Sequence, residues 1–360
     1  MKLKYLLLIC PVLIMTLCSA DRIKDKPVNL IIFIGDGMGT SQVYAALTAS
    51  GFSMTFPYFP VSGFSITYSD NNYITDSAAG GTALSTGEKT ANGMLAIRQD
   101  STILETIMEL AKKKGLSTGI ISTSSLTHAT PASFIAHVNS RADYEDIAKF
   151  YMNGTADVFI GGGKNNFVSR TDKINLAEDL KKKGYDVVFN KEDMKKSTSS
   201  HLAGFMADEH MPYILNGRDT AFLSDATSKA IGILSKNKKG FVLMVEGSEI
   251  DFGGHANNLP MVIEETIDMD RAVKRAYNFA KSNHKTLIVV TADHETGGLV
   301  LTGGDVKKKS VEGDFANGEH SAVMVPVFAY GPGSLNFTGM HQNTYLGNEF
   351  INLLSLRNKK

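Results

Sequence analysis

Three runs of this chain are apolar almost without a break: residues 28–34 (Val-Asn-Leu-Ile-Ile-Phe-Ile), 241–245 (Phe-Val-Leu-Met-Val) and 286–291 (Thr-Leu-Ile-Val-Val-Thr). A strand with one wet face alternates polar and apolar residues. A run that does not alternate belongs in the middle of a sheet covered on both sides. The covering pieces are also legible. Residues 259–281 carry apolar side chains at helical spacing, with Glu264, Glu265, Asp270, Arg271 and Lys274 on the wet side. Helices are also predicted from about Thr40 and over 103–114, 173–183, 226–234 and 345–354. Further strands are predicted over 62–68, 116–122, 158–160, 186–189 and 325–331. Strands and helices alternate, so the fold class is α/β with a largely parallel sheet.

Composition sets the outer limits. With 37 basic and 37 acidic side chains the formal net charge is zero, so no nucleic-acid-binding feature stands out. At 43% hydrophobic and 21% charged residues the chain is globular. Its first residues form an expected signal peptide, 1–20: Lys2 and Lys4, an apolar run over 5–17, then Cys18-Ser19-Ala20 as the cleavage site. The chain is thus expected to be exported, periplasmic or extracellular, with no transmembrane segment after cleavage. Lipidation at Cys18 is the alternative. Both cysteines, Cys10 and Cys18, lie in this leader, so the remainder forms no disulfide.

The predicted strands end in chemistry. Residues 28–34 run into Gly35-Asp36-Gly37-Met38-Gly39, which places Asp36 beyond a carboxyl end, where open α/β sheets bind ligands. Asp36 reads either as a helix cap or as a ligand. Residues 241–245 end in Glu246, followed in a loop by Asp251 and His255 with Asp-x-x-x-His spacing. Residues 286–291 end in Asp293-His294. Imidazole with carboxylate suits zinc, and carboxylate with hydroxyl suits magnesium. The glycine-bounded loop 303–318 delivers Glu319-His320. Pro131 fits the first turn of a helix capped by Thr130. Arg141 follows, with a fork suited to phosphate oxygens. His201 and His210, without partners at ligand spacing, read as ordinary surface or structural residues, and 191–200 as an exposed polar stretch. Ser77, in Thr75-Asp76-Ser77-Ala78-Ala79-Gly80-Gly81, stands at a helix start, where free N–H groups favour an anion. A free serine is a weak nucleophile, and no Ser-His-Asp arrangement accompanies it.

In combination and order these segments resemble the alkaline phosphatase family. The likeness rests on Gly35 to Gly39, Asp76-Ser77-Ala78-Ala79, His128-Ala129-Thr130-Pro131, His137 with Arg141, Glu246-Gly247 with Asp251 and His255, Asp293-His294, and Glu319-His320. It is weakest over 142–200. The resemblance implies a three-layer α/β/α fold with a large, mainly parallel central sheet, and a single catalytic domain over 21–360. It implies hydrolysis of small phosphate monoesters through a phosphoserine at Ser77, with Arg141 clamping the phosphate. It also implies two zinc ions and one magnesium. Asp251, His255 and His320 would hold the first zinc, and Asp36, Asp293 and His294 the second. Asp36, Thr130 and Glu246 would hold the magnesium. Members are commonly dimers, so a homodimer is expected. Asp76, His128 and Phe252 would lie near the bound phosphate. Some members carry aspartate and others histidine at the position of His128, and histidine there goes with a changed third-metal preference. Phe252 stands where other members have lysine or histidine reaching phosphate through water. A phosphodiesterase, sulfatase or mutase, and a non-catalytic phosphate- or metal-binding protein, are the competing readings.

Overall fold

The computed structural model describes residues 26–357. The expected leader, 1–20, and Cys18 lie outside the described residues. Strands in chain order are β1 (Asn29–Gly35), β2 (Val61–Ile66), β3 (Ser117–Ser125), β4 (Val158–Gly162), β5 (Asp186–Val188), β6 (Leu202–Phe205), β7 (Phe241–Gly247) and β8 (Thr286–Thr291). Then follow β9 (Glu295–Thr296), β10 (Leu299–Asp305), β11 (Ser310–Phe315), β12 (His320–Ser321), β13 (Val325–Tyr330) and β14 (Gly339–Gln342). Ten of them form one sheet in the order β14-β2-β13-β8-β1-β7-β3-β4-β6-β5. Every neighbouring pair is parallel except those made by β13, which runs antiparallel to β2 and β8.

The unbroken apolar runs are the three central strands. Ile32 of β1 lies between Met244 of β7 and Val289 of β8. The two-residue period of a strand divides their side chains between two cores. Leu30, Ile32 and Ile34 pack with Leu84, Ile107 and Phe350, on the side covered by the helices Ser77–Thr86, Ile107–Lys113 and Asn343–Leu353. Ile31 and Phe33 pack with Val43, Phe222 and Val273, under the helices Thr40–Ala49, Phe222–Leu234 and Leu259–Asn283. The result is the expected three layers, α/β/α. Among the described residues no helix is long and apolar enough to cross a membrane.

The structure corrects four local expectations. Residues 303–318 are not a loop: β10 and β11 pair as an antiparallel hairpin. Its lysine-rich tip hides the alternation of Ser-Val-Glu-Gly-Asp-Phe, whose residues are by turns exposed and half-buried. The segment after β7 is not a loop either, because Glu249–His255 is helical. The helix predicted from residue 103 begins only at Ile107, where Thr106 and Glu109 form a reciprocal capping box. Within the stretch read as exposed, Lys191–Lys196 is a helix capped by Asn190, with Met194 buried against the sheet.

Candidate active site

Strands β8, β1 and β7 are neighbours, so their carboxyl ends bring Asp293, Asp36 and Glu246 together. All three side chains are buried. The turn after β1 is fixed by Gly37, whose φ of 72° favours glycine. A Cβ there would meet Thr296 Oγ1 and the Asp251 backbone at under 3 Å. The Gly37 N–H donates to Asp293 Oδ1 at 3.3 Å, tying β1 to β8.

Ser77 opens its helix as the sequence predicts. Asp76 caps it, accepting from Ala79 N at 3.0 Å, and its other oxygen accepts from Gly93 N at 3.0 Å. The small residues that follow let this helix lie against the end of β8, since a Cβ on Gly80 would come within 3.0 Å of Asp293. Ser77 Oγ is thereby held 3.2 Å from His294 Nε2. That nitrogen also lies 3.2 Å from Asp293 Oδ2 and 3.4 Å from Asp36 Oδ1.

The helix Glu249–His255 explains the Asp-x-x-x-His spacing, because residues four apart share a helix face. His255 Nε2 lies 3.4 Å from Asp251 Oδ2, and His320 Nε2 lies 3.7 Å from Asp251 Oδ1. His255 Nδ1 donates to Gly318 O at 2.6 Å and His320 Nδ1 to Thr75 O at 2.9 Å. Each ring thus carries its proton on Nδ1 when neutral, which frees the Nε2 lone pair as a ligand. The His320 ring stacks on His294 at 3.6 Å between centroids.

Candidate ligand atoms gather into three overlapping groups, each with all its atoms within 4.8 Å: Asp251, His294 and His320; Asp36, Asp293 and His294; and Asp36, His128 and Glu246. The first differs from expectation, with His294 in place of His255, although His255 still touches Asp251. The third contains His128. Thr130 instead donates from Oγ1 to Asp36 Oδ2 at 3.2 Å. Thr130 is also not the cap: the helix is Ala129–Ala132 and His128, with an extended backbone, precedes it.

The electrostatics favour cations here. Asp36 Oδ1, Glu246 Oε1 and Asp293 Oδ2 are buried without a hydrogen-bond partner, an arrangement that costs free energy unless something else satisfies it. Burial, and then Asp293, Asp251 and Glu246, raises the Asp36 carboxyl well above its usual range. Burial lifts Glu246 to about 7 and, with Asp251, Asp293 to about 6. Burial also pushes Asp251 up, but the His255 hydrogen bond and the imidazoles around it hold it below the ordinary carboxylate range. His294 is driven well below its usual value by burial and by His320, and stays neutral. Carboxylates that repel one another beside neutral imidazoles are the donor set a divalent cation needs.

Arg141 donates to Asp76 Oδ2 at 3.0 Å and to His128 Nε2 at 3.2 Å. Asp76 therefore links the start of the Ser77 helix to this guanidinium. Burial, then Arg141 and His210, brings His128 down to about 3, so it accepts as a neutral ring. Phe252 is half-buried, with its ring 6.0 Å from His128 and 6.2 Å from Tyr213.

Sequence reasoning missed several neighbours. His210 is no ordinary surface residue. It packs edge-on against His128 at 5.4 Å and against Phe252 at 5.1 Å, and its Nδ1 accepts from Ser125 N. Recognising β6 over Leu202–Phe205 would have placed it beyond a strand end. Thr296 donates to Asp251 and lies 3.2 Å from His294 Nδ1, while Ser122 donates to Glu246 at 2.6 Å.

A family model described as Alkaline phosphatase matches residues 27–314. Alkaline phosphatase 3 of Bacillus subtilis (strain 168) is 42% identical over 77% of this chain. The match spans 63% of that relative, so the chain covers less than two thirds of its length. Alkaline phosphatase of Escherichia coli (strain K12) is 34% identical over 92% of this chain and 87% of its own. The solved alkaline phosphatase from the Antarctic bacterium TAB5 superposes with a TM-score of 0.88 at 38% identity, covering 93% of this chain and 100% of that one. A variant of the TAB5 protein is described with Mg bound in its M3 site. With its sheet order, its Ser77 helix start and these matches together, this chain belongs to the alkaline phosphatase family.

Proposed function

We propose that the chain is an exported alkaline phosphatase that hydrolyses small phosphate monoesters to an alcohol and inorganic phosphate through a phosphoserine at Ser77. The observation that carries this reading is the position of Ser77 Oγ: at a helix start, 3.2 Å from His294, inside the ring of carboxylates and imidazoles. One continuous ten-stranded sheet supports taking 21–360 as a single catalytic domain. Export rests on the leader read over 1–20, and the family likeness supports a homodimer.

The donor set fits two zinc ions and a magnesium. Asp251, His255 and His320 would hold the first, Asp36, Asp293 and His294 the second, and Asp36, Thr130 and Glu246 the third, with His128 in reach of that third position. Bound there, such ions lower the pKa of a coordinated hydroxyl and offset charge on the reacting phosphoryl group. The rest is work for the chain itself. Ser77 Oγ attacks phosphorus in line with the ester oxygen; the Oγ–P bond forms as the P–O bond to the alcohol breaks. The Arg141 fork and the N–H groups at the helix start hold the non-bridging oxygens, and Asp76 keeps the fork aimed. Water then attacks the phosphoserine from the vacated side, releasing phosphate and restoring Ser77.

Incubating the purified protein with a phosphate monoester, a diester and a sulfate ester, with and without chelator, tests the reading. Chelator-sensitive hydrolysis of the monoester is expected, with Ser77→Ala slower by about a thousandfold or more. Undiminished turnover by Ser77→Ala, or a preference for the diester or sulfate ester, overturns it.

A further inference from the structure

The carboxyl end of β3 departs from the apolar run before it. After Gly119-Ile120-Ile121 come Ser122-Thr123-Ser124-Ser125, hydroxyl residues in a row, and none is more than 4% exposed. A buried hydroxyl costs free energy unless it is bonded, so apolar residues would serve the core better. The parallel register shows what the run faces: Ile121 stands beside Val245 of β7, and Ser122 beside Glu246. Ser122 Oγ donates to Glu246 Oε2 at 2.6 Å, and Ser124 Oγ reaches the same oxygen at 3.3 Å. With its one proton given to Glu246, Ser122 Oγ is left to accept, and Ser124 N at 2.8 Å and Ser248 Oγ at 3.0 Å are in reach. Ser124 N also donates to Ser248 Oγ at 3.0 Å. Ser248 precedes the helix Glu249–His255, at the position where a serine hydroxyl ordinarily caps. It makes no cap bond there and turns to β3 instead. Its backbone N–H donates to Thr123 Oγ1 at 2.9 Å, which fixes the turn. The hydroxyl bonds thus all go to one oxygen of the Glu246 carboxylate. The other, Oε1, has none, and Glu246 shares its ligand group with Asp36 and His128.

We propose that Ser122, braced by Ser124 and Ser248, holds Glu246 by Oε2, so that Glu246 meets the third cation through Oε1 alone and the position takes magnesium in preference to calcium. Ser122 is then a positioning residue. The proposal rests on the three-ion reading above and adds what selects the ion. Magnesium demands a tight octahedron at about 2.0–2.1 Å, which one oxygen per carboxylate suits; calcium takes about six to eight oxygens at about 2.3–2.6 Å and often uses both oxygens of a carboxylate. A glutamate free to turn can offer both. Glu246 cannot bring Oε2 round without giving up its bonds to Ser122 and Ser124, and the hydroxyls it abandons would stay buried. Bonds that hold a ligand from behind in this way are typically worth about 10- to 100-fold in metal affinity.

The test is calorimetric titration of the zinc-loaded protein with magnesium and, separately, with calcium. Ser122→Ala should lose about tenfold or more in magnesium affinity and clearly less in calcium affinity, so that the preference for magnesium narrows. Its zinc content, measured by elemental analysis, should be unchanged. A substitution that only loosened the fold would weaken both ions alike; equal losses, no loss, or loss of zinc as well overturn the proposal. Ser125→Ala removes a buried hydroxyl from the same strand that bonds Thr127 and not Glu246. It should keep both affinities, and a loss matching that of Ser122→Ala also overturns the proposal. Glu246→Ala separates this inference from the reading beneath it. If Glu246→Ala binds magnesium like the parent, or the parent takes none, the third position falls and the proposal with it. If Glu246→Ala abolishes magnesium binding while Ser122→Ala leaves it intact, the third position stands and the hydroxyl clamp alone is overturned.

Discussion

Phe252 is the side chain whose chemistry most separates this site from one with a cation at the same position. It offers no hydrogen bond to a phosphate, and it fills its space with a ring packed on His210. Phe252→Lys is expected to tighten inhibition by free phosphate, read as a lower inhibition constant; an unchanged constant removes phosphate grip as the role of this position. His128 gives a second residue-scale prediction. It stands in the group with Asp36 and Glu246 as a neutral ring. His128→Asp is expected to raise magnesium content, measured by elemental analysis after dialysis against mixed zinc and magnesium. Equal magnesium in both proteins would remove His128 from the third position. At this scale the sequence was most legible where a side chain follows a strong strand directly, as Asp36, Glu246, Asp293 and His294 do. His210 and Thr296 were not legible. One depends on the short strand β6, and the other on a turn that only the assembled strand ends create.

Among the elements, the helix Glu249–His255 matters most for the candidate site, because it turns a sequence spacing into a shared face. Its apolar content is too low to announce a helix, so it passed for a loop, while the spacing of Asp251 and His255 still pointed to their pairing. The turn after β1 is equally demanding. Gly37→Ala is expected to destabilise the fold by about 2–4 kcal/mol in urea unfolding, through positive-φ strain and collision with Thr296 and the Asp251 backbone. A loss below about 0.5 kcal/mol would show that the turn can relax.

The helix Ile107–Lys113 carries a pH-dependent contact away from the metal-ligand groups. His137 Nε2 meets Glu109 Oε1 at 2.9 Å and Nδ1 meets Ala96 O at 2.8 Å. Burial opposes the charged ring, but the bond to Glu109 outweighs it and raises His137 above its usual value. Glu109 is resisted by burial yet lowered by His137 and Thr106. A raised histidine stabilises below its unfolded value, near 6.5, and that contribution is lost as pH rises through the folded one. The carboxylate contribution vanishes only in acid. Glu109→Gln keeps the capping box and removes the charge. Its loss of unfolding free energy is therefore expected to be larger at pH 6 than at pH 9. A difference that does not vary with pH would count against this contact.

Across the whole molecule, the alternation of buried strands and amphipathic helices made the three layers legible, since covered strands leave few other solutions. The region over 142–200 was harder to read, because its elements are short and its strand Asp186–Val188 is only three residues long and partly exposed. A buried ion cluster joins two distant parts of the chain: Arg218 donates to Asp268 at 3.0 Å and to Glu265. Both acids sit on the helix Leu259–Asn283, so Arg218→Ala leaves the buried Glu265 without its cation and Asp268 with Arg271 alone, at 3.3 Å. The expected cost is about 3–5 kcal/mol, measured by urea unfolding, and a near-neutral result would mean that water replaces the guanidinium.

Asp36 and His294 each belong to two of the three ligand groups. A carboxylate or imidazole turned toward one ion is already oriented for the next, so filling one position prepares its neighbour. Loading should therefore be cooperative. At limiting metal, native mass spectrometry should show empty and fully loaded molecules side by side, with few partly filled ones. Scarcity would then change how many molecules are loaded, more than how fully each one is.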